Sequence, residues 1–134
     1  GLRAAAIAAY PMYRGLARLV GMDVLKTGST FADEVGTLRD HWDAYDFMFL
    51  HYKDTDKAGE DGDFAGKVAA LERLDAALPA IQSLKPVVLV VTADHATPAV
   101  LPGPSSHPVP VPSAVQYAPS DVGVIFSRLA CSAG

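Results

Sequence analysis

Short apolar runs alternate along the chain with longer amphipathic segments. Ala4 to Ala8 is short and apolar and reads as a buried strand. Pro11 stands where a helix can begin, and "MYRGLARLVGM" carries Met12, Leu16, Leu19 and Val20 at helical spacing, with Gly21 as its stop. "MDVLKT" is a weak strand signal. "STFADEVGTLRDHWDAY" holds a helix, with Thr30 as its cap and Asp33 and Glu34 in an acidic first turn. Tyr45 to Tyr52 is aromatic and apolar and predicts a buried strand. "DKAGEDGD" reads as a Gly/Asp loop. In "FAGKVAALERLDAALPAIQSL", Val68, Leu71, Leu74, Leu78 and Ile81 form one apolar stripe of a long helix. Pro86 ends the connection, and Val87 to Val91 is the next strand.

Seven of the ten prolines fall in the segment 98–119. That composition predicts loop or sheet edge, with a short strand at Val109 to Val111. "DVGVIF" then supplies a last short strand or the entry to a terminal helix. Strands alternating with helices predict an α/β fold, a mostly parallel sheet with helices on both faces. Phe47 to Leu50 and Val87 to Val91, joined by the long helix, are expected as neighbouring or near-neighbouring parallel strands of one sheet.

The chain of 134 residues suits one domain, 1–134, with its own core. Half of the residues are hydrophobic and 19% are charged, a globular balance. A net charge of −4 gives no basic face for nucleic acid. The one cysteine, Cys131, excludes a disulfide framework and favours a reducing, cytoplasmic setting. No apolar run approaches the roughly 18 residues that span a bilayer. "GLRAAAIAAY" is faintly like a signal segment, but Arg3 is its sole basic residue and Tyr10-Pro11-Met12-Tyr13 stands where small cleavage-site residues belong. The chain does not begin with methionine, as expected for a piece of a longer protein.

In open α/β sheets, ligands bind beyond the carboxyl ends of the strands. Two apolar runs here lead into polar tips, "HYKDTDKAGEDGD" and "TADHATPA". Parallel strands would bring both tips to one edge, so Asp56, Glu60, Asp61, Asp94 and His95 can converge. Clustered carboxylates repel unless cations intervene, and carboxylate with imidazole suits Mn²⁺, Zn²⁺ or Mg²⁺. Taken singly, an Asp-His pair at a strand end is a turn residue beside a surface histidine, and an acidic loop is a solvated one. The loop lacks the ligand register of an EF-hand, which argues against calcium. His51 reads as a half-buried residue and His41, beside Trp42, as a surface group. Neither a Gly-rich phosphate loop nor a G-x-S-x-G elbow is present.

"YDFMFLHYKDTDKAGEDGDF", "VVLVVTADHATPA" and "SSHPVPV" occur in that order, preceded by "AIAAYPMYRGLARLVGM". Together they resemble the C-terminal portion of the archaeal-type cofactor-independent phosphoglycerate mutases of the alkaline phosphatase superfamily. The likeness runs from about Ala4 to Cys131. It implies part of an alkaline-phosphatase-like core and two divalent ions, Mn²⁺, Mg²⁺ or Zn²⁺. It also implies a serine that takes the phosphoryl group of phosphoglycerate and returns it to the other hydroxyl. By this resemblance Asp94 and His95 bind the ion next to the serine, and Asp56 binds the second ion. Glu60, four residues on, stands where many members have histidine and others glutamate. Lys53 completes an H-x-K-x-x-D pattern, as a substrate-facing ammonium or as a surface lysine.

Two departures from the family pattern follow. Where the family reads roughly H-S-x-H before P-V-P, this chain reads Pro104-Ser105-Ser106-His107. Proline cannot coordinate, which leaves His107 as the substitute if the loop shifts. The nucleophilic serine has no counterpart here, since Ser29, Ser105 and Ser106 do not match its motif. The chain alone is therefore expected to be inactive and to bind metal weakly. The alternatives are another phosphomutase or phosphatase of the same superfamily, and a degenerate, non-catalytic homologue that Pro104 favours. The Y-P-M-Y and H-P-V-P matches favour the mutase.

Overall fold

The structure, a computed structural model, describes residues 1–101, 104–109 and 111–115. The chain forms two compact units. The first comprises Gly1–Lys53 with Asp75–Leu84, and the second Asp54–Leu74 with the described residues from Lys85 onward.

The first unit is built on three parallel strands: β1 (Ala4–Ala8), β2 (Asp23–Val24) and β3 (Phe47–His51), in the order β2-β1-β3. Ala5, Ala6, Ile7 and Ala8 are all 0% exposed, so β1 is covered on both faces rather than alternating in and out. The helices α1 (Pro11–Leu19) and α2 (Phe31–Asp40) make the two crossovers. α1 packs on β1 and β2, and α2 packs on β1 and β3. The chain steps one way from β1 to β2, then back past β1 to β3. With the right-handed crossovers usual for parallel strands, opposite directions of travel put the two helices on opposite faces.

Local chemistry sets the element ends. Gly21, at φ +80°, closes α1: its N–H donates to Arg18 O at 3.1 Å and that of Met22 to Ala17 O at 2.9 Å. That is the paired bonding of a glycine-terminated helix. Thr30 caps α2 in a reciprocal box with Asp33, which lowers the Asp33 pKa through the Thr30 hydrogen bonds. Just before β1 and β3 begin, the Arg3 backbone N–H and guanidinium donate to Asp46 at 2.9 Å each, and the Asp46 N–H donates to Arg3 O at 2.8 Å. This clamp sets the pairing of Ala4 with Phe47.

The apolar face of α1 departs from expectation. Met12, Leu16, Leu19 and Val20 are exposed, and Ala17 is the residue of α1 that is buried. The strand beneath offers mostly methyl side chains, so the helix approaches through a small residue and leaves the larger ones outside. β3 is half-buried rather than buried.

The second unit holds α3 (Asp54–Glu60), the start of α4 (Phe64–Gln82), and the antiparallel pair β4 (Val88–Val90) and β5 (Ser113–Val115). Three expectations are corrected here. The acidic stretch read as a loop begins within a helix. Asp54 and Asp56 in its first turn and Lys57 in its last suit the helix dipole. Gly62, at φ +69°, ends it with bonds from Gly62 N–H to Gly59 O and Asp63 N–H to Ala58 O. The Asp63 side chain accepts from Gly66 N–H at 2.8 Å and starts α4, so the Gly/Asp composition marks two helix ends rather than one open loop.

β4 does not join the β2-β1-β3 sheet beside β3; it pairs with β5. Val87, Val88 and Val90 are more than half exposed, at 56%, 54% and 51%. The edge strand lies at Ser113–Val115 rather than Val109 to Val111. Pro110 would lack a ladder N–H, whereas Ser113, Ala114 and Val115 each carry one. The "DVGVIF" segment and Cys131 lie outside the described residues. Along α4, Ala70 and Ile81 are buried, while Val68 and Leu71 of the expected stripe are exposed.

Candidate metal centre

Asp56 lies in the first turn of α3, and Asp94 to Thr97 follow β4. The two segments, remote in sequence, meet inside the second unit. Asp56 Oδ1 accepts from the Thr97 hydroxyl at 2.5 Å and lies 4.0 Å from His95 Nδ1. On the other side of the ring, His95 Nε2 is 3.7 Å from Asp94 Oδ2. His95 thus stands between two carboxylates, one near each ring nitrogen. The Asp94 side chain is 65% exposed, that of His95 35% and that of Asp56 22%.

Three residues that the sequence reading passed over hold this arrangement. Thr97, 4% exposed, links both sides through its hydroxyl, 3.1 Å from His95 Nδ1. The Lys67 ammonium of α4 donates to Thr97 O at 2.7 Å and to Thr55 O at 3.0 Å, joining α4, the start of α3 and the segment after β4. Gly59 is buried, and a Cβ there would fall on the Thr97 carbonyl oxygen. Thr97 carried one legible signal: two residues after His95 in an extended segment, it can face the same way. Lys67 and Gly59 carried none, because their role depends on which segment lies against them.

The other candidates are placed as follows. Glu60 is one turn beyond Asp56 on α3 and exposed. Asp61 lies just past that helix and is exposed. The segment of Pro104 to His107 runs beside Ala96: Ser105 N–H donates to Ala96 O at 2.8 Å, and the exposed His107 ring meets Ser105 Oγ at 2.8 Å. Lys53 belongs to the first unit, with its ammonium 5.5 Å from the centre of the Tyr10 ring. His51 stacks on Tyr13 at 3.6 Å, and His41 bonds to Thr37 O at 3.0 Å in an exposed setting.

Among the described residues, no three histidine, cysteine, aspartate or glutamate side chains converge enough to hold an ion by themselves. The donor types nevertheless fit a divalent cation. The 3.7 Å between His95 Nε2 and Asp94 Oδ2 is near the roughly 3.4 Å that two ligands span on one tetrahedral ion with bonds of about 2.1 Å. The set is chemically apt and numerically short.

The model of the Metalloenzyme superfamily matches residues 1–122. The chain belongs to that superfamily. Membership implies dependence on divalent metal. Over 133 residues the chain is 49% identical to a probable 2,3-bisphosphoglycerate-independent phosphoglycerate mutase of Thermotoga petrophila. The match covers 99% of this chain and 33% of that protein, so the chain spans about a third of the length of the curated relatives it matches. A solved protein of Pyrococcus horikoshii superposes with a TM-score of 0.80 at 31% identity, covering 85% of this chain and 38% of that one. The cofactor-independent phosphoglycerate mutase of Thermoplasma acidophilum shares the fold with a TM-score of 0.66 at 23% identity, over 99% of this chain and 32% of that one. Among the described residues, no helix is long and apolar enough to cross a membrane.

Proposed function

We propose that this chain is part of a longer, metal-dependent phosphoglycerate mutase. The whole protein would interconvert 2-phosphoglycerate and 3-phosphoglycerate through a phosphoserine, with the serine outside this chain. The observation that carries the reading is the meeting of Asp56 with His95, next to Asp94, in segments that match a third of a mutase relative. Asp94 and His95 would hold the ion beside the serine. Asp56 would hold the other, with Glu60 and His107 as its further ligands in this chain. Divalent cations of the Mn²⁺, Mg²⁺ or Zn²⁺ type would supply Lewis acidity that offsets phosphoryl charge. The Lys53 ammonium would face the anionic substrate. The setting is cytoplasmic and glycolytic, in keeping with one cysteine and an acidic balance.

The test is a coupled assay of 2-phosphoglycerate formation from 3-phosphoglycerate by the full-length protein with added Mn²⁺. Turnover that a chelator abolishes and Mn²⁺ restores is the expected result. Release of inorganic phosphate, or phosphoryl transfer on a pentose phosphate alone, would assign another activity of the superfamily. Tight metal binding with no turnover of any phosphoester would overturn the enzymatic reading, as would absence of metal binding.

A further inference from the structure

The Thr97 hydroxyl has one proton and two partners. Asp56 Oδ1 is 2.5 Å from it and His95 Nδ1 is 3.1 Å from it. An ionised carboxylate only accepts, so the hydroxyl proton goes to Asp56. The oxygen can then only accept from the ring, which requires the proton of neutral His95 to sit on Nδ1. Nε2 is left with its lone pair, on the side of Asp94 Oδ2 at 3.7 Å. A lone pair facing a carboxylate repels it unless a cation lies between them. At 4% exposure, water does not readily replace either bond of Thr97.

We propose that Thr97 is a positioning residue of the metal centre: its hydroxyl orients the Asp56 carboxylate and holds His95 as the Nδ1–H tautomer, so that Nε2 is the ligating atom. The inference rests on the metal-centre reading above, to which it adds a residue and a tautomer. Lys67 completes the device by holding the Thr97 carbonyl at 2.7 Å, fixing the backbone from which the hydroxyl projects. Partners of this kind behind a metal ligand set its ring orientation and raise its basicity.

The experiment uses the full-length protein as parent, Thr97→Val and Thr97→Ser. The first readout is the ¹⁵N chemical shifts of the His95 ring without metal, at alkaline pH where imidazoles are neutral. Parent and Thr97→Ser should show the Nδ1–H form, and Thr97→Val a shift toward Nε2–H. The second is calorimetric titration with Mn²⁺, in which Thr97→Val should lose roughly 10- to 100-fold in affinity and Thr97→Ser should stay near the parent. An Nε2–H ring in the parent overturns the proposal without any variant, which covers the case in which Thr97→Val does not fold. Parent-like tautomer and affinity in Thr97→Val overturn it as well. A parent with the Nδ1–H ring but no affinity for metal overturns the metal-centre reading instead and leaves the tautomer assignment standing.

Discussion

The Lys67 ammonium donates to the carbonyl oxygen of Thr97 at 2.7 Å, across 30 positions of the chain. The same nitrogen donates to Thr55 O at 3.0 Å, so one cation gathers the backbone on both sides of Asp56 and His95. Neither oxygen belongs to a charged group, so the cation acts here by holding backbone carbonyls. Lys67→Met keeps the aliphatic stem and deletes the donor. It should cost about 2 kcal/mol, the scale of a hydrogen bond to a charged group. Urea unfolding of the full-length protein measures it, and a change under about 0.5 kcal/mol would mean that water replaces the ammonium.

Gly59 and Gly36 make a paired test of why glycine stands in a helix. Both are helical with ordinary φ, so alanine should gain up to about 1 kcal/mol in propensity at either. At Gly36 a Cβ meets nothing within 4 Å, and Gly36→Ala should be stabilising. At Gly59 the Cβ falls on the Thr97 carbonyl, a backbone atom that cannot swing aside. Overpacking of about 1–3 kcal/mol then outweighs propensity. Gly59→Ala should lower the denaturation midpoint and, by displacing Thr97, weaken metal binding. Equal effects at the two positions would remove the close approach from the argument.

The first unit was largely legible in sequence because its signals are local. Pro11 at the first turn of α1, Thr30 at the cap of α2 and Gly21 beyond α1 each act within a few residues of themselves. The second unit was less legible because its partners are distant. Val87 to Val91 announces an extended strand but not which edge it joins, and β5 was obscured by the prolines around it. Asp56, Asp94 and His95 are legible by chemical type and by resemblance. Their support by Thr97, Lys67 and Gly59 depends on three-dimensional contact and could not be read from spacing.

The Arg3–Asp46 clamp has a defined pH signature. Hydrogen bonds from Arg3, foremost that of its side chain, hold the Asp46 carboxyl down to about 2. An unpaired aspartate titrates near 3.9. Since the folded value is the lower one, the contribution is complete above pH about 4 and is lost as pH falls toward 2. Carboxyl NMR should find Asp46 titrating well below an unpaired aspartate. Asp46→Asn should make stability less sensitive to acid in that window, and a parent Asp46 titrating near 3.9 would show that the clamp is open in solution.

Glu34 is nearly buried, yet it has a clear task. Its Oε1 accepts from the Ala9 N–H at 2.7 Å, just past the carboxyl end of β1. Glu34→Ala strands that donor and should cost about 1–3 kcal/mol. Glu34→Gln keeps an accepting oxygen and should cost less. Thermal unfolding of the two variants compares them, and an equal loss would point to the charge rather than the hydrogen bond.

The chain and the longer protein it resembles in part should differ in how they depend on Asp94. If Asp94 is a ligand, Asp94→Asn in the full-length protein should abolish mutase activity. Its stability should stay within about 0.5 kcal/mol, because the side chain is 65% exposed and its bond from His95 N–H to Oδ1 can be kept by an amide oxygen. The 134-residue chain, in contrast, should bind Mn²⁺ or Zn²⁺ only weakly even with Asp94 in place. His95 lies between the carboxylates of Asp56 and Asp94 rather than gathering them around one point. Ordering two or three ligands around an ion costs about 1–2 kcal/mol per fixed residue, with few bonds to offset it. Isothermal titration of the chain should give a dissociation constant above about 1 μM, equivalent to roughly −8 kcal/mol. A tighter value would mean that Glu60 or His107 swings in to complete a site, and that Pro104 is no obstacle to it.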